Sequence, residues 1–459
     1  MGLTRNPRQA GAAAAERDTH GPVRRIVTAA LPLYLTMIAS SAGTLVDTAV
    51  LGRHATVSLA AFALTMAVYV PATATVAGAM RGVMPFVAAK DDDPDALLPV
   101  VRDGMWLGVV TGCAGAAAVA SVPLIGRLSG VPESTLSELD GFPVLLAASV
   151  LVAAVGNSAT STLVGLGRSR LVMRAGTAGT AAAVVLSLVL VNGVGSFAGL
   201  GLPGAGAAML AASVISAVVA HVGLRRSTVL AGRRLGIGRP QARAVLRLAR
   251  VGVPLAATVL VKFAVLGVLS LAVARVGTGS AAAHSVAVSL VNLMFTAAVA
   301  IGQATIPLMA PHIKAHDVPG LRRGVRAGAK VALGAVFLLG GVLVLLRDPV
   351  VSLFTRDRAL HDQVTGLLLL ILLVVVTDAL QAVFGFGLIA LKDTVPSLVV
   401  FTACYGALAL AAVPVAAGGG LSALWASLAL ANTLLVVGQA AVFHRRSGRL
   451  AATAPAGQA

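Results

Sequence analysis

Charge is scarce in this chain. Only 11% of its 459 residues are Asp, Glu, Lys or Arg, too few to cover the surface of a soluble protein of that length. Aromatics are scarce too, with 12 Phe, 3 Tyr and 2 Trp. A net charge of +18 without aromatic platforms argues against nucleic acid as a partner. The two cysteines, Cys113 and Cys404, each lie inside an apolar run, which argues against a disulfide framework or a thiolate metal site. No phosphate-binding Lys loop, no Gly-x-Ser-x-Gly elbow and no paired Cys/His spacing is present, so neither ATP-driven transport nor an enzyme is indicated. Residues 1–23 are polar and lack the apolar stretch of a signal peptide, and are expected to be a tail.

What the chain has instead is apolar length. Hydrophobic residues make up 58% of it, and the mean hydropathy is +0.93. Apolar runs at 26–51, 59–89, 104–126, 142–167, 171–195, 204–224, 245–275, 281–312, 325–346, 363–391, 396–416 and 421–443 each suffice to cross a bilayer as one helix. The fold expected is an all-α polytopic membrane protein with twelve transmembrane helices. Placing the N-terminus in the cytoplasm puts 27 Lys and Arg in inside loops and tails and 6 in outside loops. That bias predicts both termini inside, and a plasma-membrane location.

The chain also repeats itself. Pro32 and Pro254 stand 222 residues apart, as do Pro85 and Pro307, and Leu59-Ala60-Ala61 and Ala281-Ala282-Ala283. Six helices per repeat is an even number, so both halves enter from the same side as parallel repeats. The expected organisation is a tail over 1–25, a first lobe over 26–224, and a basic linker running into the seventh helix over 225–250. A second lobe over 251–443 and a tail over 444–459 follow. Transporters built this way carry substrate between their lobes.

Of the 17 carboxylates, only Asp47 and Asp378 fall within helices, one in each half. An intramembrane carboxylate is costly and points to function, here the binding of a proton or a sodium ion. Two cations, Arg81 and Lys262, also lie within helices. Arg81 is near enough to a helix end to snorkel, and Lys262 is either a substrate residue or the ionic partner of Asp378. Asn157, Gln303 and Gln381 are cavity-lining candidates or interhelical hydrogen-bonding groups. His284 is expected to be a packing residue.

With these residues in hand, the chain resembles the multidrug and toxic compound extrusion (MATE) family. Ala30-Leu31-Pro32, Val46-Asp47-Thr48, Gly52 and Leu59-Ala60-Ala61 look like its first-helix signature. Pro71, Gly78 and Met84-Pro85 resemble the second helix of its NorM-type branch, and Asp378-Ala379-Leu380-Gln381 with Leu391-Lys392-Asp393-Thr394 is similar to the tenth. The resemblance implies two six-helix bundles around a V-shaped central cavity. It implies a monomer exporting small organic, cationic or amphipathic compounds in exchange for protons or sodium ions, with no other cofactor. Asp47 and Asp378 carry over as ion-coupling residues, with a sodium ion expected, if at all, near one of them.

Two positions depart from that pattern. Asn192 matches a family asparagine, but Ser196 stands where relatives often have aspartate, and Lys262 where NorM-type members often have glutamate. Both changes favour protons over sodium and leave neutral, zwitterionic or anionic substrates open. The alternatives are a lipid-linked precursor flippase, which would need more basic residues in its cavity, and a non-transporting membrane receptor or scaffold.

Overall fold

The computed structural model describes residues 21–54, 56–194, 197–227, 229–230, 236, 238–352 and 357–452. Ser196, the tail arginines Arg5, Arg8 and Arg17, and Arg233, Arg234 and Arg356 lie outside the described residues. The first half comprises α1 (Pro22–His54), α2 (Thr56–Arg81), the short α3 (Met84–Ala88), α4 (Pro94–Ala120), the short α5 (Val122–Leu128) and α6 (Glu133–Glu138), then α7 (Phe142–Gly165) and α8 (Ser169–Asn192). A two-residue hairpin follows, in which β1 (Gly193–Val194) pairs antiparallel with β2 (Phe197–Ala198), and α9 (Gly201–Arg225) closes the half. The second half comprises α10 (Ala242–Ala274), α11 (Thr278–Lys314), α12 (Val318–Leu345), the short α13 (Arg347–Ser352) and α14 (Arg358–Gly366), then α15 (Leu368–Ala390) and α16 (Val395–Ala452).

Eleven of these helices are long and apolar enough to span a bilayer. The last is two spans in one, because Gly420 adopts φ 63° and ψ −155° and interrupts the helical run. Only glycine enters that region without strain. Twelve spans result, as expected. Several begin or end well outside the apolar runs: α4 starts at Pro94 rather than near 104, and α10 at Ala242. Their N-terminal turns carry arginines: Arg243 and Arg247 are exposed and Arg102 is half-buried. Large apolar side chains such as Leu345, Leu369 and Leu410 are almost fully exposed around the bundle, as a lipid-facing surface requires.

The repeat is visible in three dimensions. Helix α2 packs against α10 and α1 against α11, and α1 also meets α12 while α10 meets α4. A shift of 222 residues converts each contact of these pairs into the other. Left-handed residues mark the register beyond the first three spans. Gly167 (φ 69°) corresponds to Lys392 (φ 59°), and Gly201 (φ 57°) to Gly420 (φ 63°), so the offset becomes 225 in the fourth and fifth spans of each half and 219 in the sixth.

The halves are joined unequally along their length. One core unites Ile26, Ala30, Met80, Val83, Met84 and Val87 with the core of the second half. A separate cluster of Val50, Leu51, Phe62, Val119, Phe142 and Leu202 fills the far end of the first half without touching it. The joined end is the basic end, where Lys314 Nζ lies 3.0 Å from Asp91 and 3.2 Å from Asp92 across the halves. Lys392 Nζ stands 4.4 Å above the Phe86 ring, and burial, with the charges of Lys90 and Arg247, holds its ammonium below the usual lysine range. Backbones meet there too: a Cβ on Gly82 would stand 2.7 Å from the Gly252 Cα, so this approach requires glycine.

Candidate functional site: a cavity in the first half

Helices of the first half carry stripes of mostly small or polar residues at three- and four-residue spacing. On α1 it is Met37, Ser40, Thr44 and Asp47; on α2, Tyr69, Thr73, Ala77 and Arg81; on α8, Gly176, Gly179, Thr180 and Ala183. That spacing puts each set on one helix face. The faces converge, with residues of α7 and α9, on a cavity of about 550 Å³. It is walled almost entirely by the first half. Among the described residues, Gln303 on α11 is the one residue of the second half in its wall.

The repeat register explains why the cavity is one-sided. The wall residues Ser40, Thr73, Ala153, Thr180 and Ser213 correspond to Lys262, Phe295, Asp378, Tyr405 and Asn432. In the second half those five interlock. Lys262 Nζ is 3.1 Å from Asp378 Oδ2 and 3.7 Å from the Phe295 ring centroid. The Asn432 amide donates to Asp378 Oδ1 at 3.3 Å, and the Tyr405 hydroxyl donates to Asn432 Oδ1 at 2.7 Å. Small side chains leave a space in one half, and an ionic and aromatic cluster fills the corresponding place in the other.

The expected site residues therefore separate. Asp47, Arg81, Asn157 and Gln303 meet in the cavity wall. Lys262 and Gln381, expected in the same cavity, do not line it. Lys262 is held by Asp378, and the Gln381 amide donates to Gln439, which in turn donates to Ser397. Asn192 is exposed, its amide donating to the Leu188 carbonyl one turn back. His284 is buried against the Trp425 ring.

Asp47 is 4% exposed, and one hydroxyl, that of Ser187, donates to it at 2.5 Å, the length of a charge-assisted hydrogen bond. Ser187 continues the α8 stripe one turn beyond Ala183, and that periodicity is the signal by which sequence reasoning would have found it. Beside Asp47 a hydroxyl chain links Tyr69 to Ser149 at 3.1 Å and Ser149 to Ser213 at 2.9 Å. A hard cation such as sodium needs a cage of several oxygens. At Asp378 both oxygens already accept from nitrogen, and among the described residues no cluster of three or more His, Cys, Asp or Glu side chains is placed to hold a metal.

A bundle of membrane spans in two parallel repeats, with a drug-sized cavity bearing a buried carboxylate, defines a multi-span membrane carrier. The MatE family profile matches the chain twice, over residues 32–189 and 254–415, and the two matches start 222 residues apart. The chain belongs to the MatE family of membrane transporters. It is 26% identical over 391 residues to the "Probable multidrug resistance protein NorM" of Aromatoleum aromaticum, covering 84% of each chain. It is 23% identical over 382 residues to the "Multidrug resistance protein PmpM" of Pseudomonas aeruginosa, covering 81% of this chain and 79% of that one. Its fold matches the outward-facing structure of a multidrug resistance MATE transporter with a TM-score of 0.84 at 18% identity, over 94% of this chain and 97% of the other. A MATE structure in the straight conformation matches equally, with a TM-score of 0.84 at 19% identity, over 95% and 98%.

Proposed function

We propose that this protein exports amphipathic organic compounds across the plasma membrane by alternating access, each cycle returning a proton through Asp47. The observation that carries this reading is the contrast between two buried carboxylates, Asp47 and Asp378. Asp378 has an ammonium and an amide as partners, whereas Asp47 faces the cavity with one neutral hydroxyl. A buried carboxylate with no counter-ion is the group whose charge a proton can readily cancel. Asp378 serves as structure, and the coupling ion is a proton rather than sodium.

The positive-inside pattern places both termini in the cytoplasm. The basic end, where the halves share a core, then faces the cytoplasm, and the described state opens outward. The relatives named for multidrug resistance support the substrate class, as does cavity size. About 550 Å³ falls in the range of drug-sized ligand sites, which disfavours a lipid-linked precursor.

The test is proton-driven dye transport in everted vesicles. Asp47→Asn is expected to abolish gradient-driven movement while leaving dye binding in place. Undiminished transport in that variant, or transport driven equally by a sodium gradient in the wild type, would overturn the assignment.

A further inference from the structure

Arg81 is the basic residue in the cavity wall, at the end of α2 beside the closed Gly82–Gly252 seam. Among the described residues no carboxylate lies within ion-pair distance of it and no side chain or backbone carbonyl accepts from it. Tyr69, within electrostatic reach of Asp47, stands 12 positions earlier on the same helix, so the two charges are separated by roughly 18 Å along the bundle. The cavity is thus bipolar, with a carboxylate in its outer part and a guanidinium at its floor. Arg81 is half-buried, with its guanidinium reaching the cavity rather than a protein partner. In the corresponding place of the second half the chain has Gln303, which also faces the cavity, so the fold itself accommodates a neutral amide at this position. A planar guanidinium with free donors matches a carboxylate or another oxyanion in two-point fashion.

We propose that Arg81 is the anion subsite of this cavity, and that the preferred substrates are amphipathic acids or zwitterions whose acid group seats on it. Asn157 on α7 and Gln303 on α11, both in the wall and with side-chain amides that make no hydrogen bond among the described residues, supply further donors to the same group. The apolar body of the substrate lies along the α1, α2 and α8 stripes toward Asp47. The proposal deepens the export reading by naming its substrate class, and its binding arm stands without that reading.

The experiment uses two dyes that differ in one group: a rhodamine with a free benzoic acid, which is a zwitterion, and its methyl ester, which is a cation. Equilibrium binding is measured by fluorescence anisotropy on full-length protein in phosphatidylcholine nanodiscs, so that no anionic lipid competes. The wild type should prefer the acid by about tenfold or more, the amount a charge-assisted hydrogen bond contributes. Arg81→Gln should lose that preference while binding the ester as before, and Arg81→Lys should keep part of it. Arg81→Gln should also melt no lower than the wild type, because no ion pair among the described residues is lost and Gln303 shows that the fold accepts an amide at this position. No measurable acid binding to the wild type, equal binding of both dyes, or a preference that survives Arg81→Gln would each overturn the subsite. A preference that vanishes in Arg81→Gln, with no gradient-driven movement of either dye in wild-type vesicles, would confirm the subsite and overturn the export reading alone.

Discussion

A carboxylate in a helical bundle keeps its charge only where something offsets the loss of water, and the two intramembrane aspartates solve this differently. Asp378 is 2% exposed, with its ammonium partner at 3.1 Å standing on an aromatic face. Removing one member of such a pair leaves the other uncompensated, whereas replacing both can be nearly neutral. Lys262→Met is therefore expected to destabilise the protein by about 3 kcal/mol, lowering its melting temperature in detergent. Asp378→Asn in the same chain should recover most of that loss. If Asp378 is structural, the double variant also transports. A stable double variant without gradient-driven transport would return a coupling role to Asp378.

At the scale of elements, the helix ends of the basic face hold most of the titratable structure outside the membrane. Asp317 precedes α12, where its carboxylate accepts from the Gly320 amide at 2.8 Å and lies 2.9 Å from His312 Nδ1. The Gly320 hydrogen bond, followed by His312, holds the Asp317 carboxyl below the usual carboxylate range. A depressed folded-state value stabilises the fold above the unfolded value of about 3.9, and the benefit fades as pH falls through the folded value. Asp317→Asn should thus melt lower than the wild type at pH 5, with the gap closing below about pH 4. A gap that is unchanged at low pH would show that the carboxylate's charge is not what caps this helix. The Lys314 pairs nearby contribute less than their geometry suggests. Lys314 is 40% exposed, and exposed ion pairs are worth about 1 kcal/mol or less. The shared apolar core and the Gly82–Gly252 approach hold the seam.

These elements also separate what the residues foretold from what folding added. The spans and the repeat were legible, because long apolar runs and prolines at fixed positions are local signals. Helix ends were less so, since arginines that extend a span by a turn or two look like loop in a hydropathy scan. The cavity's place in one half followed from neither signal. It depends on Ser40, Thr73, Ala153, Thr180 and Ser213 facing one another, and on their counterparts Lys262, Phe295, Asp378, Tyr405 and Asn432 filling the other half. Three of those correspondences, at Asp378, Tyr405 and Asn432, rest on register shifts of three residues, marked by the backbone at Lys392 and Gly420. The Lys262–Asp378 pair was one of two readings the residues allowed. The Ser187–Asp47 bond joins positions 140 apart and needed the fold to bring them together.

For the whole molecule, the count of coupling groups sets the electrical character of transport. Under the proposed mechanism, with Asp378 tied to Lys262, one proton per cycle would return through Asp47. Exchange of one proton for a monovalent cation moves no net charge, so the membrane potential does not drive it. Exchange of one proton for a zwitterion moves one charge, worth about 2.3 kcal/mol per 100 mV, or an accumulation of about 50-fold. The rhodamine acid and its ester distinguish the cases in proteoliposomes held at constant pH, where a potassium diffusion potential is switched on with valinomycin. After subtraction of uptake into protein-free liposomes, an imposed potential of either sign should change accumulation of the acid by that order and leave the ester's unchanged. Equal voltage responses from the two dyes would mean a second proton or another ion moves with Asp47's, and the division of labour between the two aspartates would fall. A voltage response confined to the acid would tie the ionic pair in one half to the substrate preference of the cavity in the other.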